Sequence, residues 1–176
     1  MTYCRSFMHI LYKILSEKGD IVVLKWKSFL YSFVITFIFA ALGGIVTYIG
    51  MPKFENVQQP PLSPPSYLFP IVWSILFLLM SVSAAIIYDS DNETSAKALF
   101  IYTIQLTLNF WWCVLFFGFR LYFFSFIWLL LLLLTVFVMT VLFYRINKLA
   151  GLIQIPYMIW LGFAAYLNFG VWFLNR

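Results

Sequence analysis

Charged residues are scarce in this chain: only 10% of its 176 residues are Asp, Glu, Lys or Arg, whereas 64% are hydrophobic. A soluble domain carries roughly 25% charged and 45–50% apolar residues. A small domain cannot bury so much apolar surface in one core, because much of its surface remains exposed. The scarcity of charge therefore argues against an ordinary soluble domain and indicates a protein that lies in lipid.

Cysteine and histidine are almost absent. The two cysteines, Cys4 in the basic N-terminal segment and Cys113 in an apolar run, do not suggest a disulfide scaffold. We expect both to stay reduced. The single histidine, His9, lies outside every apolar run, which excludes a His-ligated metal site within the membrane. We predict no metal and no required cofactor.

The apolar runs also lack the residues that several reaction classes need. They contain no Ser-His-Asp, Cys-His or paired-carboxylate set, so hydrolytic chemistry has no candidate residues. Ionisable residues inside a membrane usually mark proton relays or ion paths, and the centres of these runs have none. An ion-coupled pump is therefore a poor hypothesis.

Five apolar runs are long enough to cross a bilayer, which requires about 20 residues in a helix. Barrel strands are excluded, because they are about ten residues of alternating polarity. The predicted fold is an all-α membrane protein, a bundle of five transmembrane helices. We place these helices at about 28–50, 66–88, 96–118, 121–144 and 149–174.

The basic residues are unevenly distributed, and this asymmetry predicts the orientation of the chain. Five of the eleven lie in residues 1–27, and three more lie on the same side of the membrane, against three on the other. The positive-inside rule then places the N-terminus in the cytoplasm, and the loop 51–65 and the C-terminus outside, in the cell membrane. The net charge of +5 does not argue for nucleic acid.

Two segments lie outside the apolar runs. Residues 1–27 form a basic N-terminal extension before the domain 28–176; they are either an amphipathic helix on the membrane surface or a poorly ordered tail. The loop 51–65 contains five prolines. Because proline restricts itself and its predecessor, we predict a semi-rigid lid.

Polar and aromatic residues share one face of the third helix. Their spacings of 3, 4, 3 and 4 place Tyr102, Gln105, Asn109, Trp112 and Phe116 in one stripe. An unpaired amide in hydrocarbon costs several kcal/mol, so this face is predicted to point into the bundle. The amides either join helices by hydrogen bonds or line a pocket, and the two roles are compatible.

Similar stripes occur on two other helices. The fifth helix carries Tyr157, Trp160, Ala164 and Asn168, with Leu167 beside them. The second helix carries Trp73, Phe77 and Met80, below Tyr67 and Phe69. Three facing stripes predict a site for a flat, largely apolar ligand, bound by aromatic stacking and oriented by a few amides.

Three motifs resemble the TspO/MBR family of tryptophan-rich sensory and translocator proteins. Residues 64–73, PPSYLFPIVW, are similar to its signature at the start of the second helix. Residues 102–118, YTIQLTLNFWWCVLFFG, and 156–168, PYMIWLGFAAYLN, resemble its third- and fifth-helix motifs. The likeness runs from about residue 28 to the C-terminus, although Ile71 and Trp128 depart from the family pattern.

The resemblance implies a bundle, often homodimeric, with a pocket beneath the first loop. It implies ligands such as porphyrins, sterols and benzodiazepine-type drugs; Phe169 departs from the sterol pattern, so specific sterol binding is not predicted. The family pocket positions correspond to Trp73, Asn109, Trp112, Trp160, Ala164 and Leu167, with Phe69 and Phe124 as further lining residues. Trp73 and Trp160 would be the residues of a light-dependent porphyrin breakdown.

The prediction is therefore an integral membrane binding or sensory protein for porphyrins and related hydrophobic molecules, with the lipid bilayer as its other partner. The alternatives are an enzyme-like, tryptophan-assisted degradation of porphyrin, a passive translocator of the ligand, and a structural or regulatory partner protein.

Overall fold

The structure is a computed structural model that describes residues 25–54, 57–90 and 92–176. Its elements are α1 (Trp26–Phe54), α2 (Leu68–Asp89), α3 (Ser95–Cys113), a π-helical turn (Val114–Gly118), α4 (Tyr122–Ile146), α5 (Lys148–Ile153) and α6 (Ile155–Leu174). Within these residues, five helices are long and apolar enough to cross a membrane, α5 and α6 together forming the fifth. The predicted five-helix fold is confirmed. The interpretations of Cys4, of His9 and of the segment before residue 25 lie outside the described residues.

The first helix is longer than its apolar run. It begins at Trp26 and continues to Phe54, so its last turn occupies the start of the segment assigned to the loop. Pro52 lies inside that last turn. Because proline has no N–H, Pro52 leaves the Tyr48 carbonyl without its helical donor.

The fifth span is interrupted just before Pro156. Pro156 has no N–H to offer the preceding turn, and the helix breaks at Gln154 between α5 and α6. The short α5 has its own cap, because the Asn147 side chain accepts a hydrogen bond from the Ala150 N–H at 3.1 Å. Ser83 of α2 donates to the Ala150 carbonyl at 2.7 Å, which joins α5 to the second helix.

The helices form a closed ring around the bundle. Neighbouring pairs in the ring are α1–α2, α2–α5, the fifth span with α4, α4–α3, and α3–α1. The second helix therefore packs against α5 rather than along α6. The short connections force this mainly antiparallel arrangement.

The core is concentrated in the half of the bundle where α1 begins. Buried residues recur every three or four positions along α4 and form one face of the helix: Ser125, Leu129, Leu132, Val136, Met139 and Phe143. It packs with the buried half of α2, which includes Met80, Ala84 and Ile87. The other face of α4 is leucine-rich and exposed, as expected for a surface that meets lipid.

A carboxylate joins α1 and α2 at this end of the bundle. Asp89 accepts hydrogen bonds from the Lys25 N–H at 2.8 Å and from the Ser28 hydroxyl at 2.5 Å. It lies 3.9 Å from the Lys25 ammonium. The same side chain thus caps the first turn of α1 and connects it to the end of α2. The cavity described below lies in the opposite half of the bundle.

Candidate ligand-binding cavity

A cavity of about 610 Å³ lies between α1, α2 and α3 in the half of the bundle below the lid. Its α1 wall consists of Phe37, Ala40, Ala41, Gly43, Gly44, Thr47, Tyr48 and Met51. The α2 side consists of Ser66, Tyr67, Phe69, Pro70, Trp73, Ser74 and Phe77. The α3 side consists of Asn109, Trp112, Cys113 and Phe117. This volume is within the range of small-molecule sites, roughly 300–1,000 Å³.

Six of the residues predicted from the sequence line this cavity. They are Tyr67, Phe69, Trp73, Phe77, Asn109 and Trp112. The Trp73 ring packs against Phe77 with centroids 5.4 Å apart, which orients one aromatic wall.

A second, much smaller space of about 40 Å³ adjoins the first. It is lined by four other predicted residues, Phe116, Ala164, Leu167 and Asn168. Met51, Ser66, Phe69, Trp112 and Phe117 line both spaces and therefore separate them. The stripe of the fifth helix thus borders an annex of the cavity rather than its main wall.

Trp160 lies behind this partition. It lines a separate apolar groove of about 460 Å³ between α2 and α6, with neighbours such as Ile75 and Phe163. Its ring meets Phe69 edge to face, with centroids 6.0 Å apart. One aromatic ring therefore lies between Trp160 and the main cavity.

Five residues that the sequence analysis assigns to the site line none of these three spaces: Met80, Tyr102, Gln105, Phe124 and Tyr157. Phe124 lies half-exposed on the outside of α4 and packs beside Trp128, with ring centroids 6.2 Å apart. The expectation that it lines the pocket does not hold, because the buried face of α4 there runs through Ser125 and Leu129. Gln105 is fully buried, and its amide is used within the protein.

A buried hydrogen-bond chain joins α3 to α6. The Tyr157 hydroxyl donates to Gln105 Oε1 at 3.0 Å and accepts from Asn109 Nδ2 at 3.1 Å. Gln105 Nε2 faces the Met80 sulfur at 3.7 Å. Only the amide nitrogen can donate to a thioether, so this contact fixes the orientation of the Gln105 amide and leaves its oxygen facing Tyr157. Tyr157 consequently holds Asn109 at the cavity wall. The Asn109 amide thus joins two helices and lines the cavity as well.

Asn168 makes a second interhelical contact, to α4. Its Nδ2 donates to the Ser125 hydroxyl at 2.9 Å, and that hydroxyl lies 3.3 Å from Asn168 Oδ1. The pair closes the far side of the small space, so Asn168 acts as a helix contact as well as a lining residue.

Trp112 contributes an unused donor. Its indole N–H is buried and has no hydrogen-bond partner, although its ring stacks on Phe116 with centroids 5.3 Å apart. A buried donor without a partner costs about 1–3 kcal/mol. A ligand with an acceptor at this position would remove that cost.

The α1 wall is the part of the site that the sequence stripes do not identify. Its central residues are small, Ala40, Ala41, Gly43 and Gly44, and have no polar periodicity to assign them a face. The run of small residues is a local signal, but it is equally typical of close helix packing. Gly43 does pack closely, because a Cβ there would lie 3.3 Å from the Cys113 sulfur.

The cavity can bind by shape, stacking and a few hydrogen bonds. None of its lining residues is charged. Among residues 25–54, 57–90 and 92–176, no group of three or more His, Cys, Asp or Glu side chains is placed to hold a metal ion. An aromatic lining with a few amide and indole groups suits a flat apolar molecule with a polar edge.

Comparison with known proteins agrees with this architecture. The TspO/MBR family model matches residues 32–173. Protein CrtK of Rhodobacter capsulatus is 37% identical over 147 residues, which cover 81% of this chain and 92% of that protein. The tryptophan-rich protein TspO of Chlorobaculum tepidum is 34% identical, over 69% of this chain and 78% of its own length. The human translocator protein is 32% identical, over 70% of this chain and 75% of its own length. The predicted resemblance is confirmed, and the chain belongs to the TspO/MBR family.

Proposed function

We propose that this protein binds porphyrins and related flat hydrophobic molecules in the cavity between α1, α2 and α3, and acts as a membrane sensor or translocator for them. The observation that carries the proposal is an aromatic cavity of about 610 Å³ without charged lining. Trp73 supplies a ring for stacking, and Asn109 and Trp112 supply polar groups at the wall. The family membership supports a sensory or translocating role.

The test is a titration of the purified protein with protoporphyrin IX in the dark, followed by tryptophan quenching. We expect saturable quenching. Trp73→Phe should weaken binding about twofold to tenfold, since an aromatic pair contributes roughly 0.5–1.5 kcal/mol beyond burial. Trp26→Phe is the matched control, because Trp26 is exposed at the opposite end of α1. Absence of saturable quenching in the unmodified protein would refute the proposal.

The second candidate function is light-dependent degradation of the bound porphyrin, with dioxygen as the oxidant. Trp73 at the cavity wall favours it, whereas Trp160 lies behind Phe69. Illumination of the saturated complex in air, with an anaerobic sample as the control, separates the two functions. If porphyrin absorbance falls no faster in air than in the anaerobic sample, binding remains and degradation is refuted. Trp73→Phe and Trp160→Phe, each saturated with porphyrin, then identify which tryptophan takes part.

We also propose a homodimer in the cell membrane, with the N-terminus in the cytoplasm and the lid outside. The charge asymmetry supports the orientation, and the family resemblance supports the dimer. Ser63→Cys should be labelled by a membrane-impermeant reagent on intact cells, and Thr94→Cys, at the other end of the bundle, should be protected. The reverse pattern would invert the orientation. Mass measurement in detergent micelles tests the dimer.

A further inference from the structure

We infer that the ligand enters the cavity sideways from the bilayer, through an opening between the lid-side halves of α1 and α2, rather than from water through the lid. The inference rests on the proposed binding function and specifies its ligands as molecules dissolved in the membrane. It combines two observations, a fastened lid and an open side.

The lid is fastened to the C-terminal end of α6. The Gln58 N–H donates to Asn175 Oδ1 at 3.0 Å, and Asn175 Nδ2 donates back to the Gln58 carbonyl at 2.8 Å. One amide side chain therefore satisfies both backbone groups of a single lid residue, as a neighbouring strand would. The Tyr166 hydroxyl adds a third bond, to the Pro61 carbonyl at 2.8 Å.

Close packing strengthens the same attachment. A Cβ on Gly170 would lie 2.6 Å from the Pro60 Cβ, so the proline ring sits directly on the helix backbone. Pro60 itself is buried. Entry from above would require these contacts to break together.

The side between α1 and α2 is open. Three residues that line the cavity are also largely exposed: Phe37, Tyr48 and Tyr67, with 59%, 83% and 67% of their surface accessible. Phe37 and Tyr48 lie within the apolar span Trp26–Pro52. The surface onto which the cavity opens is therefore one that faces the bilayer.

The small residues of α1 keep this opening wide. A Cβ on Gly44 would have no protein atom within 4 Å, unlike one on Gly43, which would meet Cys113. Adjacent helix positions thus have different roles: Gly43 packs against α3, and Gly44 borders open space. A larger side chain at position 44 can enter the opening without displacing the protein.

The chemistry of this route suits an amphiphilic planar molecule. Its ring system passes from hydrocarbon into an apolar cavity without crossing water. Because no charged residue lines the cavity, charged groups of the ligand stay at the membrane surface. Tyr67, whose ring is exposed at the lid-side end of the opening, has the amphipathic character typical of membrane interfaces.

The experiment measures protoporphyrin IX association and dissociation by stopped-flow tryptophan quenching, with the full-length protein in lipid nanodiscs. Gly44→Leu should block the opening and slow association by about tenfold, and dissociation should slow as well, since a barrier to passage affects both directions. Gly162→Leu is the matched control: this exposed α6 glycine also has no protein atom within 4 Å of a Cβ, and we expect unchanged rates. Ala41→Leu, at an exposed lining residue, replaces Gly44→Leu if that variant does not fold.

The second arm loosens the lid. Asn175→Ala combined with Tyr166→Phe removes the three hydrogen bonds, and we expect association to stay at the unmodified rate. Faster association in this variant, or unchanged rates in both opening variants, would overturn lateral entry while leaving the binding function intact. A raised Kd with an unchanged association rate would also overturn it, because leucine would then occupy the site rather than the route. If the unmodified protein does not bind at all, both proposals fall.

Discussion

Tyr157 on α6 donates its hydroxyl hydrogen to Gln105 on α3 across 3.0 Å, and both side chains are almost completely buried. The bond crosses the bundle between the cavity and the core. It joins α3 to α6, two helices that are not neighbours in the ring, and the same Tyr157 hydroxyl accepts a hydrogen bond from Asn109 at the cavity wall. One polar network therefore joins two helices and also holds a side chain of the cavity wall.

The first prediction concerns Tyr157→Phe. The ring remains, but Gln105 Oε1 and Asn109 Nδ2 lose their partner in an apolar interior. We expect a loss of about 1–3 kcal/mol in the free energy of unfolding, measured by denaturation in detergent. Tyr166→Phe is the control on the same helix, since its hydroxyl binds the lid at an exposed position. Equal losses in the two variants would contradict this account.

The second prediction concerns Ser125→Ala, which removes the partner of Asn168 Nδ2. We expect a loss of about 0.5–2 kcal/mol, in the range of interhelical hydrogen bonds within membranes. Ser81→Ala is the comparison, because the Ser81 hydroxyl donates only to the Phe77 carbonyl of its own helix. Thermal unfolding in the same detergent should rank Ser125→Ala as clearly less stable, and the opposite order would argue against the contact.

The third prediction concerns the glycine where α5 packs against α4. A Cβ on Gly151 would lie 2.5 Å from the Tyr144 Cβ and 2.6 Å from its Cα. Gly151→Ala should therefore separate the helices and destabilise the bundle by about 1–3 kcal/mol, as overpacking does. Gly162→Ala, in open space, should be neutral or stabilising by about 0.5–1 kcal/mol, since glycine disfavours a helix interior. Equal melting temperatures for both variants would refute the close approach.

The fourth prediction concerns Asp89, whose carboxylate caps α1 and holds it to the end of α2. Asp89→Ala should cost about 0.5–2 kcal/mol, the range for loss of a helix cap. Glu93→Ala removes an exposed acidic residue of the same turn and should have little effect. Chemical denaturation of the two variants checks the difference, and a small effect of Asp89→Ala would exclude the capping role.

The sequence predicts the helices well because bilayer thickness and hydropathy constrain them strongly. The break in the fifth span follows from Pro156, which cannot continue the ladder. The apolar run predicts that α1 ends near residue 50, whereas the helix continues through Met51 and Pro52 to Phe54. Amide and tryptophan spacing also predicts that Asn109 and Trp112 face inward.

The walls of the cavity are harder to predict from the sequence than the helices are. Its α1 wall consists of small residues without a polar pattern, so periodicity cannot assign Gly44 to the cavity or Gly43 to a helix contact. The family resemblance implies a lining role for Phe124, whose side chain lies half-exposed on the outer face of α4. Trp160 is separated from the cavity because the Phe69 ring packs against it. This contact joins two different helices, so local sequence patterns do not predict it.

The sequence by itself determined membrane residence, five helices, their order and the residues that must avoid lipid, because each of these follows from the cost of placing polar groups in hydrocarbon. The tertiary structure decided which helices enclose the cavity, which amides form interhelical hydrogen bonds, and which lining residues of α1 are exposed. Those outcomes depend on distances between residues that are remote in the chain, as between Gln58 and Asn175. Local patterns constrain the face that a residue occupies, and only packing determines what lies opposite it.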